Sequence, residues 1–405
     1  MRSAIFLVAL ALALGAGGVA SAAASHKRRT PAVKRKVPQG FMGVIADGPL
    51  DDPALDPNAE FRTMALNGVE SVRFAMYWDL AQPYQTSADV PPLQGANFRD
   101  VAGVPTDFRF TDRLVGAAAF QGLSVLPVVV RAPIWARRHP DRPWSPPNPD
   151  EYAAFLRALV GRYGPSGSFW QENPGLPKVP IRDWQIWNEP VGPDFWDEER
   201  PFRPPPSPAY PGLYVKLLRA AHDAIKAADP GARVILAGIF GKGWSTLRSL
   251  YNYNHSVRRY FDAVALHPFT AKPENVILIL TKARLVMNRH GDRRKPILVT
   301  ELAWPSAAGR ANQGLGFEVT EAQQATKLRR AYALLTAIRH GLKLERVYWD
   351  TWASDDLTAY TFHYAGLRRA TASGFESKPS FFAFRRVALD LEGCARGKVS
   401  VTHCS

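Results

Sequence analysis

Ile181-Arg182-Asp183-Trp184-Gln185-Ile186-Trp187-Asn188-Glu189-Pro190 and Pro296-Ile297-Leu298-Val299-Thr300-Glu301-Leu302-Ala303-Trp304 share one plan: a short apolar run that ends on a glutamate. Runs of this length and composition read as strands, Ile181 to Trp187 and Ile297 to Thr300, so both acids leave a sheet at the same kind of position. A carboxylate at the end of a buried strand costs desolvation and is seldom kept for stability.

Six further runs read as strands: Phe41 to Ile45, Val69 to Phe74, Ser124 to Val130, Val234 to Gly238, Ala263 to His267 and Arg346 to Trp349. Helical patterns separate them: Pro57 to Leu66, Asp112 to Gln121, Pro149 to Tyr163, Tyr210 to Ala228, Ser245 to Val257, Pro273 to His290 and Glu321 to Arg339. Gly122, Gly164, Asp229-Pro230-Gly231, Gly291 and Gly341 read as helix stops. Strict alternation of apolar strands with helices implies parallel strands covered by helices, and eight repeats favour closure. The expected fold is α/β, a single (β/α)8 TIM barrel over residues 40–390. In such barrels the chemistry sits at the C-terminal strand ends, where Arg73, Asn188, Glu189, His267, Glu301 and Trp352 all fall. Long loops at Tyr84 to Phe110 and Val191 to Pro211 lie on that face.

Two carboxyls across one cleft suit cleavage of an acetal C–O bond, where one donates a proton while the other faces the ring carbon as an anion. Aromatics such as Trp184 and Trp187 would keep one acid neutral, and a cation such as Arg73 would keep the other ionised. Asn-Glu-Pro by itself could also be an ordinary helix start, and His267 an ordinary core histidine.

The formal net charge is +15, but seven of those positive charges, from Arg2 to Lys36, precede the first acid. Residues 1–24 read as a signal peptide, with one arginine, an apolar run from Ile5 to Leu14 and a small-residue stretch after it. Export follows as an expectation. Residues 25–39 are a basic linker, either simply solvated or able to touch an anionic cell-envelope polymer. The two cysteines, Cys394 and Cys404, stand in a tail of residues 391–405 and are expected to pair in an oxidising compartment. The sequence offers no metal-ligand spacing, phosphate loop or nucleophile elbow, so neither a metal nor a cofactor is expected, and no nucleic-acid partner. The chain is read as a monomer.

The chain resembles the retaining glycoside hydrolases of clan A, most closely the family 39 type and related family 5 enzymes. Trp78-Asp79-Leu80-Ala81-Gln82-Pro83, Pro133-Ile134-Trp135-Ala136, the two glutamate stretches and Val264-Ala265-Leu266-His267-Pro268-Phe269 carry the likeness. The resemblance implies that Glu189 is the general acid/base and Glu301 the nucleophile. It also implies that Asn188 binds a sugar hydroxyl, that Arg73 and His267 brace the nucleophile, and that Trp352 is the floor under the sugar ring, with Trp304 lining the cleft. Gln82 stands where Glu is common, Val191 where Asn is frequent, and Phe269 where Tyr would orient Glu301. The activity implied is hydrolysis of β-linked oligo- or polysaccharide, with a non-catalytic carbohydrate-binding barrel or a transglycosylase as alternatives.

Overall fold

A computed structural model describes residues 34–191, 195–196, 210–311 and 313–393. Among the described residues, eight parallel strands alternate with eight long helices. The strands are β1 (Met42–Ile45), β2 (Ser71–Tyr77), β3 (Ser124–Val130), β4 (Asp183–Ile186), β5 (Arg233–Ile235, resuming at Ile239–Phe240), β6 (Val264–His267), β7 (Ile297–Leu302) and β8 (Leu344–Trp349). The helices that follow them in turn are α1 (Asn58–Leu66), α2 (Arg109–Phe120), α3 (Pro149–Tyr163), α4 (Tyr210–Ala228), α5 (Gly243–Tyr253), α6 (Pro273–Arg289), α7 (Glu321–Leu342) and α8 (Pro379–Glu392).

The ring closes through the interrupted β5. Its first piece pairs with β4 and its second with β6, and single bridges join Asn188 to Gly238 and Ile235 to Ala263. Strand β1 sits between β2 and β8. The (β/α)8 barrel is therefore complete.

Side chains alternate in and out along each strand, and the inward set fills the barrel in layers. Ile45, Leu126, Ile235, Ala265, Leu298 and Tyr348 form the apolar middle. The base is ionic: Asp183 holds Arg233 at 2.6 Å and Arg346 at 2.8 Å, and Arg233 reaches Glu345 at 2.7 Å. Paired charges at the base and apolar residues in the middle leave the upper layer free to carry chemistry.

The differences from the sequence reading have local causes. Strand β2 runs to Tyr77 rather than Phe74, since all seven of its residues pair with β3. Helix α5 stops at Tyr253 because Asn254 Oδ1 accepts the Ser256 N–H at 2.8 Å and starts a separate 3-10 turn, His255–Arg259. Gly341 does not end α7; the helix reaches Leu342, and Lys343 takes the left-handed conformation at φ 51°. Gly164 closes α3 with an extended φ of −67°. The loop after β2 contains a hairpin, Arg99–Val101 with Val104–Thr106.

In the basic arm, Arg35 is committed to an ion pair with Glu70 and Lys36 to Asp390. Residues 1–24, read as a signal peptide, residues 25–33 of the arm, Cys394 and Cys404 lie outside the described residues. No helix among the described residues is long and apolar enough to cross a membrane.

Candidate active site

Parity decides what reaches the mouth of the barrel. On β2 the inward residues Ser71 and Arg73 place a guanidinium one layer above Tyr348, whose hydroxyl is 2.7 Å from the Ser71 Oγ. Arg73 is 2 % exposed, and each of its three nitrogens donates. Nε donates to Gln185 Oε1 at 3.0 Å, Nη1 to Glu301 Oε1 at 3.1 Å and Nη2 to Asn188 Oδ1 at 2.8 Å. One buried cation thus ties β2 to β4 and β7.

His267, at the end of β6, lies between the two glutamates. Its Nδ1 is 2.6 Å from Glu189 Oε1 and 3.3 Å from Glu301 Oε2, while Nε2 is 2.9 Å from Thr300 Oγ1. Burial drives its pKa down to about 3, against the raising influence of Glu301, so the ring is neutral at ordinary pH. The threonine hydroxyl can serve either tautomer, and a carboxylate partner selects the one with the proton on Nδ1. The ring comes this close because residue 238 is glycine: a Cβ there would stand 1.9 Å from His267 Nε2.

One carboxylate oxygen of Glu189, one of Glu301 and a ring nitrogen of His267 all lie within 4.8 Å of one another. The chain bends sharply to bring this about, with left-handed backbone at Trp187 (φ 66°) and Glu189 (φ 36°). Non-glycine residues pay for that geometry, and such outliers concentrate at functional sites. Trp187 is locked between Tyr152 and Trp196, which holds the bend.

Burial raises the Glu301 pKa to about 7; His267 and Arg73 oppose the shift, and Glu189 and Asp350 add to it. Two more acids, absent from the sequence reading, share the cleft. Asp47 follows the inward residues Gly43 and Ile45 of β1, and Asp350 follows Arg346 and Tyr348 of β8. Burial raises Asp47 to about 8 and Asp350 to about 7, with Arg73 opposing both. Continuing the period-2 alternation past each strand end would have found them.

These raised values set a stability trend. Unfolded carboxylates titrate near pH 4, so the folded cleft holds protons that the unfolded chain has lost. Its contribution is full below about pH 4 and is lost as the pH rises through 7 to 8. Thermal melting is expected to give a Tm several degrees lower at pH 8 than at pH 5.5. Asp47→Asn and Asp350→Asn should each flatten that slope, and slopes unchanged in both variants would contradict the assignment.

Corrections concern the aromatics. Trp352 has no exposed face: it is fully buried, donates Nε1 to Glu60 Oε2 at 2.8 Å and packs on Phe381 of α8. Trp304 is equally buried, with Nε1 on the Thr270 carbonyl at 2.7 Å. Strand β8 ends at Trp349, and the next inward position is Asp350, so the turn carries Trp352 behind the barrel wall. Phe269 packs against Phe317 and Phe362 and offers no hydroxyl; the groups beside the Glu301 oxygens are Arg73 Nη1 at 3.1 Å and His267 Nδ1 at 3.3 Å. Gln82 is structural, bridging Trp78 Nε1 and Thr106 Oγ1 at 2.8 Å each.

Two carboxylates and an imidazole could ligate a divalent cation, but the Arg73 guanidinium already supplies fixed positive charge against Glu301, which disfavours a second cation. A hollow of about 900 Å³ between α1 and α2 lies elsewhere on the barrel. Its arginines are engaged, Arg113 with backbone carbonyls and Arg162 with Asp112.

No protein-family model matches the chain, and no curated protein matches it by sequence. The fold has many solved counterparts among glycosidases. A monomeric beta-xylosidase from Caulobacter crescentus CB15 superposes with a TM-score of 0.59 at 17% identity, covering 87% of this chain and 69% of that one. A glucosidase from Croceicoccus marinus gives 0.60 at 14%, covering 89% and 70%. A GH5_18 protein from Streptomyces cattleya, in complex with Manb1-4GlcNAc, gives 0.59 at 15%, covering 89% and 81%. The neighbours include family 39 and family 5 proteins, in agreement with the resemblance read from the sequence.

Proposed function

We propose that this protein is a secreted glycoside hydrolase that cleaves β-linked oligo- or polysaccharide with retention of configuration. The observation that carries the reading is the approach of a Glu189 oxygen and a Glu301 oxygen to within 4.8 Å. A retaining pair stands roughly 5–5.5 Å apart, whereas an inverting pair needs about 6.5–9.5 Å to admit a water.

Glu301, held by Arg73 and His267, attacks the anomeric carbon as Glu189 gives its proton to the leaving oxygen. The glycosidic bond breaks and an ester of Glu301 forms. Water then attacks that ester, Glu189 takes its proton, and Glu301 leaves as the carboxylate. Glu189 can hand its proton off because His267 Nδ1 is hydrogen-bonded to it and stays neutral. Asn188 Oδ1 is fixed by Arg73, which leaves its Nδ2 amide without a partner among the described residues and available to a sugar hydroxyl.

Proton NMR of the reaction on a β-glycoside should show the β-anomer of the released sugar first, with the α-anomer growing only by mutarotation. An α-anomer as first product would reject the double displacement. Export rests on the N-terminal signal pattern and is tested by the N-terminus of protein recovered from culture medium. A monomer is the expected state. An anionic envelope polymer remains the partner proposed for the basic arm, and salt-sensitive retention on such a polymer would support it.

A further inference from the structure

Asp47 and Asp350 have no role in the displacement, yet they occupy its mouth. They are neighbours across one seam, because β1 pairs in parallel with β8 in the register Gly43↔Tyr348 and Val44↔Trp349. Each follows the inward residue of its strand by two positions, so both side chains continue the interior column upward.

Their acceptor capacity is largely unused. Asp47 Oδ1 accepts one bond, from the Ala75 N–H at 2.8 Å. Asp350 accepts none among the described residues. Arg73, the cation whose field both carboxylates feel, donates to Gln185, Glu301 and Asn188 and to neither aspartate. Both residues are part-buried, so their remaining donors come from what fills the cleft, water or a ligand.

The aromatic alternative is closed off at this wall. Trp304, Trp349 and Trp352 are all fully buried, with their indole nitrogens donating to Thr270, Ala365 and Glu60. The β1–β8 side of the cleft therefore offers carboxylate oxygens in place of a ring face. A carboxylate accepts two neighbouring hydroxyls at once through its two oxygens.

We propose that Asp47 and Asp350 form the specificity wall of the subsite for the cleaved sugar, accepting hydrogen bonds from adjacent hydroxyls of a neutral pyranose and excluding acidic sugars. This inference rests on the glycosidase reading. A uronic acid would add a further carboxylate beside Asp47, Asp350 and Glu301, where burial already resists ionisation, and among the described residues the cation the three share, Arg73, is already paired with Glu301.

The test is a cycle between protein and substrate. The wild type, Asp47→Asn and Asp350→Asn are assayed for kcat/KM on nitrophenyl β-glycosides of neutral sugars, on their monodeoxy analogues and on the matching glucuronide. The wild type should lose about 10- to 100-fold when the recognised hydroxyl is deleted, the size of leaving an acceptor in a closed site unsatisfied. The Asn variants should lose a similar factor on the parent sugar and little more on the analogue. The glucuronide should be at least about 100-fold poorer than the glucoside in the wild type, with the gap narrowed in the variants. Strictly additive losses, or a glucuronide cleaved as well as the neutral glycosides, would overturn the proposal. Should the wild type cleave nothing, the glycosidase reading fails separately. Titration of the chain with free neutral sugars and with glucuronate, observed by saturation-transfer NMR, then decides the wall: neutral selection lost in Asp350→Asn supports it, and equal binding of both sugars rejects it.

Discussion

Glu301→Gln is expected to lower the hydrolysis of β-glycosides by at least about 10⁴-fold while leaving the melting transition cooperative, because the amide keeps the acceptor for Arg73 but cannot form the glycosyl ester. Shortening the side chain instead, as Glu301→Gly with added azide, should restore turnover by letting the small anion attack from the vacated face. The product would then be the α-glycosyl azide, with one inversion in place of two. Ionisation of the same group sets the acid limb of activity. Burial raises Glu301 to about 7, and a nucleophile must be deprotonated, so kcat/KM should fall tenfold per pH unit below that value. A Glu301→Gln variant retaining more than about a tenth of wild-type activity would remove the residue from the chemistry.

The second large effect belongs to Glu189→Ala, and the leaving group controls it. For natural oligosaccharides and unactivated alkyl glycosides, departure needs a proton, and the loss should reach about 10²–10⁴-fold. A dinitrophenolate leaves without help, so kcat/KM for dinitrophenyl glycosides should stay near wild type, while kcat and KM fall together as the glycosyl-enzyme accumulates. Azide should rescue this variant with the β-glycosyl azide, the opposite stereochemistry to that of the Glu301 variant. The two azide products assign the roles independently of rate. Identical anomers from both variants would contradict the assignment.

These predictions draw on a site only partly legible in the chain. Glu189, Glu301, Arg73, Asn188 and His267 could be placed because each ends or continues an apolar run, and a strand of a closed parallel sheet delivers its last inward side chain to one common mouth. The hydrogen bonds agree with that placement, down to His267 standing between both acids. The aromatic floor was misplaced for an equally local reason. Trp352 is two residues beyond Asp350, and the turn between them determines whether an indole meets substrate or the Glu60 carboxylate behind the wall. Asp47 and Asp350 each lie just past a strand, where the apolar run has ended and only the continued period-2 alternation points to them.

The order of strands and helices and the positions of the two glutamates follow from the sequence alone, since burial on both faces demands apolar runs and helices demand their own periodicity. Distance, protonation and partnership were decided by tertiary structure. Only closure through the divided β5 brings Glu189 and Glu301 to within 4.8 Å, and only the glycine at 238 admits the His267 ring between them. The resistance of the cleft to ionisation arises from the burial of Asp47, Asp350 and Glu301 around one arginine. Local sequence cannot encode it, because desolvation and charge coupling act between residues remote in the chain and adjacent in space.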